Sequence, residues 1–63
     1  MRNADPVLLL EIIRQSQEIS SEAQWLEHYT HNRDADCVED CVNQIESGLN
    51  SIKAILEKIK KSA

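Results

Sequence analysis

The stretch VEDCVNQIESGLNSIKAILEKI (residues 38–59) places Val38, Val42, Ile45, Leu49, Ile52, Leu56 and Ile59 at unbroken spacings of four and three. That period is the signature of one side of a helix, and the two-residue alternation of a half-buried strand is missing from it. A long amphipathic helix is therefore predicted here. Lys58, Lys60 and Lys61 fall in its last turn, where positive charge is favourable beside the unpaired carbonyls. Upstream, Asp36 with Glu39 three positions on reads as a capping box, which starts the helix near residue 36.

Working toward the N-terminus, Asn32 to Ala35 form a short polar stretch of turn formers. Before it runs a second periodic segment: Leu9, Ile12, Ser16, Ile19, Ala23, Leu26 and Thr30, again three and four apart, thinning toward small and polar residues. Asp5 followed by Pro6 marks its start, because the carboxylate accepts from orphan amides and proline at the first helical position gives up no hydrogen bond. The expectation is a single helical-hairpin domain over residues 1–63, with helices over about 6–31 and 36–61 and a turn over about 32–35.

Composition agrees with an all-α fold: 41% of the 63 residues are hydrophobic, yet Trp25 and Tyr29 are the only aromatics and there is one Gly and one Pro. A chain this short buries a small share of its surface alone. Leu8, Ile13, Cys41 and Ile55 flank the two seams and widen the apolar stripe beyond what one partner helix covers. An antiparallel hairpin that dimerises into a four-helix bundle is expected, with Leu8, Leu9, Ile12, Ile13, Ile19, Leu26, Val42, Ile45, Leu49, Ile52, Ile55, Leu56 and Ile59 supplying core and dimer contacts. Gly48 inside the second helix costs about 1 kcal/mol relative to alanine; close helix approach and tolerated drift both account for it.

A net charge of -4 speaks against non-specific nucleic-acid binding, which needs clustered Lys and Arg. No run is long enough to span a bilayer, and the start MRNADPVLLLEII lacks the pattern of a secretory signal, so a cytoplasmic setting is expected. His28, His31, Cys37 and Cys41 are residue types that zinc accepts, on either side of the turn. Their helical positions diverge, however: the histidines to the outer face, Cys41 beside the core, Cys37 toward solvent. The sequence calls for no metal and no cofactor. Cys37, His31 and Asp34 could be assembled into a nucleophile with base and orienter, but a thin hairpin offers no cleft that excludes water. The chain reads as non-enzymatic.

The first helix carries a second stripe, Glu18, Glu22, Trp25 and Tyr29, acidic at one end and aromatic at the other. Carboxylates with Trp and Tyr are what a protein-binding hot spot uses, and these four residues are the candidate partner face. Packing of Trp25 and Tyr29 over a neighbouring hairpin is the competing account.

The turn DAD (residues 34–36), the chain length and both seams resemble the Rop-type plasmid copy-number regulators, with Ile12, Ser16, Ile19, Ala23 and Leu26, then Cys41, Val42, Ile45, Leu49, Ile52 and Leu56, falling on core layers without a gap. The resemblance implies an antiparallel homodimer of hairpins and an RNA-binding face on the first helices. The matching positions here include Arg14, Glu18, Glu22 and Tyr29, and two carboxylates there repel phosphate. The expected function is a small cytoplasmic homodimeric regulator, inhibitor or adaptor, of the kind phages and mobile elements carry, that binds a second protein through a basic or apolar site. An RNA-binding regulator using Arg14 and the lysine tail is the alternative.

Overall fold

A computed structural model describes residues 5–62. They form two helices, α1 (Pro6–His31) and α2 (Ala35–Ser62). Asp5 Oδ1 accepts from the Val7 amide at 2.9 Å and Pro6 occupies the first turn, so α1 begins where its sequence directs.

The turn closes α1 with a reciprocal pair of backbone bonds: the Arg33 amide reaches Thr30 O at 3.1 Å and the Asp34 amide reaches Tyr29 O at 3.0 Å. This is the Schellman arrangement, and it requires a left-handed residue at Arg33, whose φ is 56°. The next helix starts at once. Asp34 Oδ1 accepts from the Cys37 amide at 3.2 Å, which makes Asp34 the cap of α2, two residues earlier than the Asp36 and Glu39 pattern predicts. Asp36 instead lies in the first helical turn, where its charge still faces the positive end of the helix.

The helices are antiparallel and make a rod with extents of 45 × 14 × 12 Å. Along it, α1 turns Leu8, Ile12, Gln15, Ile19, Glu22, Leu26 and Tyr29 inward, and α2 turns Val38, Cys41, Ile45, Gly48, Ile52, Ile55 and Ile59. The contact thus shares Ile12, Ile19, Leu26, Val38, Ile45, Ile52 and Ile59 with the sequence expectation. Its other column is displaced by one residue over most of its length: Gln15, Glu22 and Tyr29 stand where Ser16, Ala23 and Thr30 were expected, and Cys41 and Gly48 replace Val42 and Leu49, while at the open end Leu8 and Leu9, and likewise Ile55 and Leu56, are all half-buried.

Gly48 explains the choice. A Cβ built on it would lie 2.9 Å from Ile19 Cγ1, closer than side chains tolerate, and 3.1 Å from Cδ1, which is tight. Ile19 is β-branched and stiff at χ1 in a helix, so its Cγ1 cannot swing away. Glycine lets the two backbones approach, and the packing of Ile19 against it offsets the propensity cost.

The consequence is a fold with little interior. Only Cys41 (4% exposed) and Ile59 (5%) are buried hydrophobics among the described residues. On the face that the contact turns away from, Val42 and Leu49 remain 46% and 47% exposed beside half-buried Leu9 and Leu56. Ser16 and Thr30 share that face, but their hydroxyls donate to Ile12 O at 2.8 Å and Leu26 O at 2.7 Å within their own helix. What they present outward is largely hydrocarbon.

Candidate functional site: an acidic and aromatic cleft at the turn end

The opposite face is polar. Toward the turn the α1 residues Trp25, His28 and Tyr29 lie three, four and one apart, so their rings meet on one side of the helix. Trp25 stacks on Tyr29 with centroids 5.7 Å apart and planes 25° from parallel. His28 sets its ring edge-on to both, 5.6 Å from Trp25 and 5.5 Å from Tyr29. Tyr29 is drawn into the helix contact, while Trp25 keeps half its surface exposed.

Beneath and beside these rings lies a cleft of about 280 Å³ lined by Glu22, Trp25 and Tyr29 from α1 and Cys37, Asp40, Cys41 and Gln44 from α2. The sequence expectation put Glu22 and Tyr29 on an outer stripe; the structure has both half-buried in the helix contact, where they wall the cleft. Cys37, expected to face solvent, is half-buried, and Cys41 is buried.

Both thiols are held in the protonated form. The Cys37 thiol donates to the Asp34 carboxylate, which with burial and the nearby charges pushes its pKa up. Burial, then a hydrogen bond to Glu22, does the same for Cys41. Conversely, the Cys37 side chain and amide hold the Asp34 carboxyl below its ordinary range. Tyr29 is raised by burial first and by the surrounding thiols and carboxylates second. A protonated thiol is a poor nucleophile and a poor metal ligand.

Of the four predicted partner residues, Glu22, Trp25 and Tyr29 come together in this cleft, and Glu18 lies in the adjoining polar groove with Gln15, Ser21, Gln44, Ser47 and Ser51. Glu18 is also engaged: Arg14 bridges to Glu11 at 2.8 Å and to Glu18 at 3.1 Å. With its charge shared between two carboxylates, Arg14 is poorly placed to meet a phosphate. Sequence reading missed Cys37, Asp40, Cys41, Gln44 and His28 as members of the site. The signal for the first four was Gly48, which fixes the column of α2 that faces α1.

His28 Nε2 pairs with Asn32 Nδ2 at 3.1 Å, and His31 Nε2 lies 3.7 Å from Glu27. The histidines therefore turn to neighbours on their own helix or its cap, away from the thiols. Among the described residues no group of three or more His, Cys, Asp or Glu is placed to hold a metal ion, and no helix is long and apolar enough to cross a membrane. No protein-family model, curated protein or solved structure matches the chain.

Proposed function

We propose that this chain is a non-catalytic protein-binding regulator or adaptor that works as a homodimer of hairpins and presents the turn-end cleft to its partner. The observation that carries the reading is the exposed pair Val42 and Leu49, which with half-buried Leu9 and Leu56 forms an aliphatic column that the hairpin's own contact leaves partly uncovered, while Trp25 and its cleft lie on the opposite face.

Charge beside the column favours a second copy as its cover. Glu39, Glu46, Lys53 and Lys60 flank Val42, Leu49 and Leu56, acidic toward the turn and basic toward the chain end. A twofold axis at Leu49 brings Leu49 onto Leu49 and Val42 onto Leu56 of the second copy, and sets Glu39 by Lys60 and Glu46 by Lys53. Side-chain volume favours the same arrangement. The Ile19 and Gly48 contact sets Leu9 within about one helical turn of the level of Leu56, and Ala23 within about one turn of Val42. Antiparallel hairpins then lay the large pair against the small one in each layer, whereas parallel hairpins would crowd one end and leave voids at the other.

In this dimer the two clefts open at opposite ends of the rod, on the side away from the interface. The test is affinity capture with immobilised protein. Wild type should retain a partner that Trp25→Ala releases while keeping its helicity and dimer mass. Loss of the dimer in that variant would make Trp25 structural and overturn the assignment of this face.

A further inference from the structure

The geometry points to an arginine side chain of the partner as the occupant of the turn-end cleft, an inference that rests on the protein-binding reading above. The cleft presents a flat aromatic face, the Trp25 ring stacked on Tyr29 at 25°, with Trp25 51% exposed. A planar guanidinium stacks on such a face and is drawn to its negative π surface. Glu22 and Asp40 stand on the two helices that wall the cleft, and the Gln44 amide offers a further acceptor between them. That is the acceptor set that a five-donor fork requires.

Nothing lining the cleft competes for those acceptors with a charge of its own, since none of its residues is Lys or Arg. The surrounding field has the right sign. Between Gln15 and Ile52 the sequence holds eight carboxylates against the single guanidinium of Arg33. Asp34 and Asp36 at the start of α2 offset the positive end of that helix, which would otherwise repel a cation. At about 280 Å³ the cleft suits one side chain rather than a drug-sized ligand. Arginine is favoured over lysine because the acceptors flank a ring plane, and a compact ammonium uses neither the plane nor both walls at once.

The test titrates N-acetyl-arginine amide into the full chain and follows the indole N–H resonance and fluorescence of Trp25, the only tryptophan. The lysine analogue and the neutral, isosteric citrulline analogue are run in parallel. The expected result is a saturable, salt-sensitive shift with arginine that is about tenfold weaker with lysine and weaker still with citrulline. Glu22→Gln combined with Asp40→Asn should remove it, and Glu57→Gln on the outer side of α2 should leave it intact, with circular dichroism checking that each variant is folded. An equal response to citrulline or to lysine, or one that survives the double substitution, overturns the inference. Sedimentation of the same samples separates the two levels of the argument. A dimer indifferent to arginine ends this inference alone; a monomer that responds to arginine supports the cleft and ends the homodimer.

Discussion

The two faces of the hairpin are built on the same pair of helices and the same shared column of Ile12, Ile19, Leu26, Ile45 and Ile52, yet they present opposite chemistry. One face carries Leu9, Val42, Leu49 and Leu56, with the hydroxyls of Ser16 and Thr30 turned back onto their own backbone. The other carries a groove of Gln15, Glu18, Ser21, Gln44, Ser47 and Ser51 that leads into the Trp25 cleft. The polar face can stand in water indefinitely. The aliphatic one gains about 25 cal/mol for each Å² it hides, which is what the proposed second copy would provide. Amphipathicity here belongs to the hairpin as a unit, because each helix donates one column to its internal contact and a different one to the exterior.

The sharpest way to break this contrast is Leu49→Glu. If the aliphatic face is an interface, the substitution sets two carboxylates together at the twofold axis. The dimer should be lost at micromolar concentration, and most helicity with it, since the lone hairpin has little interior. Ser21→Glu on the polar face is the control and should leave both unchanged.

Gly48→Leu attacks what the two faces share. The new side chain meets Ile19 at the closest approach of the helices and should cost roughly 1 to 3 kcal/mol, read as a lowered midpoint in urea. An unchanged midpoint would mean that the register of the internal contact differs from that described.

Smaller effects sharpen the interface geometry. Glu46→Lys and Lys53→Glu should each weaken dimerisation by about 0.2 to 1 kcal/mol per pair, and the two combined should restore it, because the proposed antiparallel arrangement would set these positions opposite one another. Additive weakening would contradict that arrangement.

The smallest expected effect is at the turn. The Asp34 carboxyl is lowered from its ordinary value of 3.8 by the Cys37 thiol and amide. A lowered folded-state pKa contributes stability that is fully present above the unfolded value and is lost as pH falls through the folded one. Thermal midpoints measured from pH 5 down to pH 2 should therefore fall, and Asp34→Asn, which keeps a capping oxygen without the titration, should flatten that fall.

Much of this was legible in the sequence. The Asp5 and Pro6 start, the short polar turn and the three-four periodicity led to two antiparallel helices, and the structure has them. The column that each helix gives to its neighbour was not legible from hydrophobicity. Val42 and Leu49 are more apolar than Cys41 and Gly48, and Ala23 more than Glu22, so pattern alone assigned them to the internal seam. Distance decided otherwise, because Gly48 admits Ile19 and draws the helices together on its own side. The cap was misread for a related reason: Asp34 and Asp36 are both good caps, and what selects Asp34 is the left-handed turn at Arg33, a conformation that an arginine does not advertise. The stripe from Glu18 to Tyr29 was visible in α1, but the α2 wall of its cleft depended on the same unseen register.

Sedimentation equilibrium at micromolar concentration tests the central claim most directly. A homodimer has twice the chain mass of 7.2 kDa and a melting temperature that rises with protein concentration, and both are expected. A species of single-chain mass that melts cooperatively at the same temperature across a hundredfold range of concentration would contradict it.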